Sequence, residues 1–301
     1  MNNRYIPEYQ RLLEEVRILT NNGNLPGLTS QGHIESFVTQ LIDSIKRNDY
    51  IYLINSSQFS EQVTDPNSPA FNPIKAVAFY ISIEEHEEAI WLIFLIIHFG
   101  KNTRYSWNLL RNVYGGLSNR IWSFDSIQSD FEEFSLWIER NAINIKQNAT
   151  YGNHRKYESI LQCPAVFSSY INLMRGSQFT YLSNISTPAE NANLDVFDEL
   201  YRQLRIYRFD RIGKFDFLCM LYKFGIIAHE PRKIYVEKAT GPKIGAKLLF
   251  FNNRNDTSRS RIINANIEDL SRIINHPLKM QILEDAICNW QKSPHKYKPF
   301  R

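Results

Sequence analysis

Apolar residues recur at helical spacing over the first fifty positions. Tyr9, Leu12, Leu13, Val16 and Leu19 form one stripe, and Ile34, Phe37, Leu41 and Ile45 form a second. Spacing of three and four predicts two amphipathic helices. SSQFSEQVTDPNSPAFNP (56–73) breaks the pattern with polar residues and three prolines, which predicts a long loop or linker. A denser apolar block follows in IEEHEEAIWLIFLIIHFG (83–100) and SWNLLRNVYGGL (106–117), where Gly115-Gly116 ends the helix. FEEFSLWIERNAI (131–143) reads as amphipathic, with Phe131, Phe134, Leu136 and Ile138 on or near its apolar stripe. Further helices are predicted in LDVFDELYRQLRIY (194–207), KFDFLCMLYKFG (214–225), KATGPKIGAKLLF (238–250), IEDLSRII (267–274) and LKMQILEDAICNWQKSP (278–294). Pro277 and Pro294 bracket the last of these. YIYLI (50–54) and KIYV (233–236) read as short strands. The expectation is a mainly α chain, with residues 1–72 a helical extension and linker and 73–301 the main helical domain.

Composition places the 301-residue chain among ordinary globular proteins, at 43% apolar and 22% charged. No secretory signal is apparent, and AIWLIFLII (89–97) is too short to span a bilayer. The expectation is a soluble cytoplasmic protein, a monomer, with no membrane partner. Cys163, Cys219 and Cys288 lie far apart and lack metal-ligand spacing. They argue against a disulfide framework and a zinc site, and read as buried apolar cysteines. No metal and no cofactor is expected.

Charge changes the picture more. Residues 201–301 hold 20 Lys+Arg against 9 Asp+Glu, whereas the first 200 hold 15 against 22. Basic charge concentrated in one part of the chain suggests a surface for a polyanion.

Four stretches offer candidate chemistry. In KATGPKIGAKLLF, Gly241-Pro242 turns into a helix start carrying Lys243, with Gly245 and Lys247 following. Backbone N–H groups and lysines at a helix start suit a phosphate, and the same residues also suit a tight helix connection. YGNHRKYES (151–159) sets His154, Arg155 and Lys156 beside Tyr151 and Tyr157, donors interleaved with stacking rings. LEDAICNWQKSP (283–294) places Asp285 beside an apolar stripe that includes Trp290, with Lys292 beyond it. A carboxylate so placed suits acid–base work, or a pairing with a nearby cation. In EEHEE (84–88), the acids read as solvated residues at a helix start, and His86 lacks a second histidine at helical spacing.

Taken together, HFGK (98–101), YGNHRKYES (151–159), RFDRIGKFDFLCMLYKFG (208–225), ATGPKIGAKLLF (239–250) and LEDAICNWQKSP (283–294) resemble the α-glutamyl/putrescinyl thymine pyrophosphorylase family. That family belongs with the helix-hairpin-helix DNA glycosylase-like proteins. The resemblance runs from about residue 75 to 294. It implies a glycosylase-like helical domain over 73–301, with a variant helix-hairpin-helix at 214–251, whose Gly-Pro-Lys-Ile-Gly order departs from the usual core. It also implies an enzyme acting on hypermodified bases of phage double-stranded DNA. Relatives include bacterial anti-phage glycosylases that remove bases such as glucosylated hydroxymethylcytosine.

On the resemblance, the catalytic carboxylate is Asp285, with Asp269 and Asp216 as alternatives. DNA and base contacts would come from His154, Arg155, Lys156, Tyr157, Gly241, Lys243, Gly245, Lys247, Trp290 and Lys292. Rival readings are a metal-dependent nuclease built on Asp210, Asp216 and Glu230–Lys233, or a DNA-binding module without catalysis.

Overall fold

The structure, a computed structural model, describes residues 3–299. Its described residues form fourteen α-helices and no β-strand, so the chain is mainly α. Contacts divide it into two compact units, one of residues 1–50 and 230–301, the other of 51–229. The division does not fall at 72/73. The polar stretch 56–73 belongs to the second unit, where the Asn72 side chain caps the following helix by accepting from Ile74 N–H and Lys75 N–H.

The first unit contains α1 (Ile6–Asn21) and most of α2 (Gln31–Asn55). From the C-terminal part of the chain come α12 (Gly241–Phe251), α13 (Ser260–Ser271) and α14 (Lys279–Trp290). Their apolar stripes meet in one core, including Leu12, Val16, Phe37, Leu41, Leu249, Ile263, Leu283 and Trp290. Each such side chain contributes roughly 1.5–3 kcal/mol on burial. Gly27 fixes the α1–α2 turn against α12: its N–H donates to Leu249 O at 3.0 Å. A Cβ there would lie 1.9 Å from Leu248 O, so only glycine fits.

The second unit contains α3 (Pro73–Ser82), α4 (His86–Phe99), α5 (Asn108–Tyr114), α6 (Phe124–Ser129) and α7 (Phe131–Ile145). It continues with α8 (Cys163–Met174), α9 (Gln178–Asn191), α10 (Val196–Gln203) and α11 (Arg211–Lys223). The α4 helix is apolar on every side because Ala89 through Phe94 are fully enclosed. Phe94 stacks on Tyr170 with ring centroids 3.9 Å apart, inside a cluster that includes Trp91, Phe167, Phe209 and Phe217.

Several expectations need correction. YIYLI is the end of α2, whose 25 residues carry helical order through a β-prone run. KIYV is irregular and leads into a short 3₁₀ turn, with Tyr235 at φ 51°. Leu136 is exposed on α7, where Phe134 and Ile138 supply the buried stripe. Cys288 is half-buried, unlike Cys163 and Cys219.

The acids of EEHEE also differ from expectation, because two of them cap other helices. Glu87 accepts from the N–H groups of Gln178 and Phe179 at the start of α9. Glu88 accepts from Phe124 N–H at the start of α6 and from Tyr114 Oη. Burial pushes the Glu88 carboxyl up to about 7, although both hydrogen bonds pull it down.

Candidate functional site

In the first unit, α12 and α14 pack closely enough to explain both glycines of the GPKIG stretch. A Cβ on Gly241 would meet Cys288 Sγ at 2.7 Å. One on Gly245 would meet Ile287 O at 2.5 Å and Ile287 Cγ2 at 2.7 Å. Gly245 is buried, so its small size serves helix packing and not a close approach to phosphate. Lys243 and Lys247 on α12 remain half-buried. The helix begins with Gly241-Pro242, has no acid in its first turn, and receives no side-chain cap from Thr240. Two hydrogen bonds from Ser258 and the charge of Lys247 hold the Asp256 carboxyl below its usual range.

Asp285 lies on α14 one turn before Cys288, the residue that meets the start of α12. Its Oδ2 accepts from Ser44 Oγ at 2.8 Å and from Arg47 Nη2 at 3.0 Å, both on α2. The carboxylate is thereby fixed in one rotamer, with 18% of its side chain still exposed. Ser44 and Arg47 escaped the sequence reading because they lie 241 and 238 positions away, in a helix whose visible signal was its apolar stripe.

The other candidates of this unit diverge. Trp290 is fully buried, edge-on to Phe37 at 5.7 Å and to His33 at 6.2 Å, and presents no face to a base. Lys292 is exposed and donates to Asn289 Oδ1 at 3.2 Å. Asp269 is exposed and pairs with Arg272 at 3.0 Å, an ordinary surface i,i+3 pair.

In the second unit, Asp216 is half-buried on α11, in the field of Arg155. The HRK run splits. His154, Lys156 and Tyr157 face solvent, whereas Arg155 turns inward. Its Nε donates to His98 O at 3.1 Å, and its Nη2 to Arg208 O and His98 Nδ1, each at 3.3 Å. Because His98 Nδ1 accepts, the ring proton sits on Nε2, 3.5 Å from Cys163 Sγ. Burial, then the charges of Arg155 and Arg208, hold the His98 imidazole well below its usual value. Burial pushes the Cys163 thiol up to about 12, so this cysteine–histidine contact supplies no thiolate nucleophile.

Among the described residues, no three His, Cys, Asp or Glu side chains come together as a metal-holding group. No helix among them is long and apolar enough to cross a membrane. The chain is thus a helical protein with a half-buried, cation-fixed carboxylate in the unit that carries its excess of basic residues. A family-level comparison matches residues 32–301 to α-glutamyl/putrescinyl thymine pyrophosphorylase clade 3. The chain belongs to that family, whose name denotes enzymes acting on modified bases. Comparison with curated proteins and with solved structures gave no match.

Proposed function

We propose that the protein is a monofunctional DNA N-glycosylase, which extracts a bulky hypermodified base from phage duplex DNA and leaves an abasic site as an antiviral act. The observation that carries this reading is the position of Asp285. It is fixed by Arg47 and Ser44, one turn from the contact between α14 and the lysine-bearing start of α12. The unit around it, residues 1–50 and 230–301, holds 19 Lys+Arg against 13 Asp+Glu.

The chemistry follows from what the reaction requires. A base stacked in a duplex is out of reach, so it must be rotated out of the helix. As the C1′–N bond breaks, its electron pair leaves with the base and positive charge grows on the sugar ring. The Asp285 carboxylate would stabilise that charge and accept a proton from the water that adds to C1′. Lys243, Lys247 and the first N–H groups of α12 would hold the neighbouring phosphates, in the manner of a variant helix-hairpin-helix.

The test is incubation with modified and unmodified phage DNA, followed by alkali. Strand breaks that appear only in modified DNA and only after alkali support the glycosylase. Breaks that need Mg²⁺ and no alkali would point to a nuclease. Retarded DNA without abasic sites would leave a binding protein.

A further inference from the structure

The second unit as a whole is slightly acidic, with 16 Lys+Arg against 18 Asp+Glu in residues 51–229. At one place it reverses that balance. Three loops far apart in sequence are fastened together there. Gly152 N–H donates to Phe99 O at the end of α4 at 2.8 Å, and Asn102 Nδ2 to Tyr151 O at 3.2 Å, joining loop 100–105 to loop 151–159. Gly100 and Gly152 pack backbone to backbone: a Cβ on Gly152 would lie 2.9 Å from Gly100 C. The third loop, 205–210, is joined by Arg208 Nε donating to Glu158 Oε2 at 2.8 Å and by Arg155 donating to Arg208 O. Beneath them, buried Arg155, His98 and Cys163 form the hydrogen-bonded base already described, and the buried Tyr151 Oη joins it 3.3 Å from Cys163 Sγ. Such a base holds the loops in one arrangement before any ligand arrives.

What these loops display is selective. Together they contain six Lys or Arg and two Asp or Glu, and one of the acids, Glu158, is bonded to Arg208. Lys101, Lys156 and Arg205 are exposed. Tyr157 is 83% exposed and Tyr207 51% exposed, two of the most exposed large rings of the unit. Lys156 Nζ sits 4.9 Å from the Tyr157 ring centroid, so the cation and the ring are presented side by side. An exposed tyrosine ring next to a lysine offers a stacking face and a counter-charge at once. Paired bases inside a duplex hide their faces, whereas an unpaired strand presents them.

We infer that the three loops 100–105, 151–159 and 205–210 form a platform for an unpaired DNA strand. Tyr157 and Tyr207 stack on bases, and Lys101, Lys156 and Arg205 neutralise phosphates. The inference takes DNA as the ligand from the proposed function, but strand binding is measured without base release, so the two can fail separately.

Fluorescence anisotropy of the full-length protein with a labelled oligothymidine, and with a duplex of equal length, tests it. In Tyr157→Ala/Tyr207→Ala, affinity for the single strand should fall about tenfold or more per ring, and for the duplex by less than about twofold. Tyr157→Phe/Tyr207→Phe should restore single-strand binding, since the ring faces remain. Lys156→Gln and Arg205→Gln should each lower the slope of log affinity against log salt by about 0.7. Wild-type single-strand affinity in the alanine variant would overturn the platform. Equal loss for strand and duplex would overturn its preference for unpaired bases, and failure of the phenylalanine variant would overturn stacking.

Discussion

Arg47 Nη2 lies 3.0 Å from Asp285 Oδ2, joining α2 to α14 across 238 positions of sequence. Ser44, one turn earlier on α2, donates to the same oxygen at 2.8 Å. The pair is partly buried, with side chains 34% and 18% exposed, so each group keeps some access to solvent while its orientation is set. A carboxylate held this way meets a substrate without first being ordered. The same contact also fastens the N-terminal helices to the C-terminal ones within their shared unit.

The glycines of α12 make a prediction with an internal control. Alanine would normally favour a helix over glycine by about 1 kcal/mol. At Gly245 the new methyl would press on the Ile287 carbonyl, a backbone atom that cannot move aside. Gly245→Ala should therefore destabilise the protein by about 1–3 kcal/mol in urea unfolding. At Gly241 the obstacle is the Cys288 side chain, which can rotate. Gly241→Ala should cost less than half as much.

Glu88 predicts a pH dependence of stability. Burial raises its folded value to about 7 from a usual 4.5, so the folded state holds the proton more tightly than the unfolded chain. Its contribution is fully present below about pH 4.5 and is lost as pH rises to about 7. The loss is about 3 kcal/mol. Denaturant midpoints across that range should show it, and Glu88→Gln should flatten the fall. The amide places an NH₂ where Tyr114 Oη or Phe124 N–H donates. The variant should therefore also lose about 1 kcal/mol at low pH.

Neighbours in the HRK run should behave oppositely. Arg155→Ala leaves the carbonyls of His98 and Arg208 without their donor and should cost about 2–4 kcal/mol. Lys156→Ala, at an exposed position, should change stability by less than about 0.5 kcal/mol. Thermal unfolding of the two variants side by side separates the inward residue from the displayed one.

Lys243 and Lys247 should report on phosphate contacts. Their replacement by alanine should weaken duplex binding most at low salt and reduce the salt slope by about 2. Base release at saturating DNA should be retained. Unchanged affinity at low salt would remove the start of α12 from the DNA-binding surface.

Helix identity was largely legible because apolar periodicity records which face is buried. The stripes Leu12–Val16 and Phe37–Leu41 lie in the core where the pattern put them. What failed were inferences about partners. YIYLI has the composition of a strand, yet a 25-residue helix already in progress decides its conformation. Trp290 and Gly245 carry the residue types of a base stack and a phosphate loop, and helix packing uses both instead. Arg155 looked like its neighbours, because nothing local announces that His98, 57 positions earlier, accepts its hydrogen bonds. The cation that fixes Asp285 was equally silent. Long-range side-chain pairing leaves no periodic trace in the sequence.

Asp285→Asn is the decisive variant for the proposed catalytic role of Asp285. The amide is nearly the same size and its oxygen can take the place of Oδ2, which accepts from both Ser44 and Arg47, so fold and DNA binding should persist. Mass spectrometry of material released from modified phage DNA should then detect the free base with the wild-type protein and none with the variant. Wild-type release by Asp285→Asn would remove Asp285 from the active site.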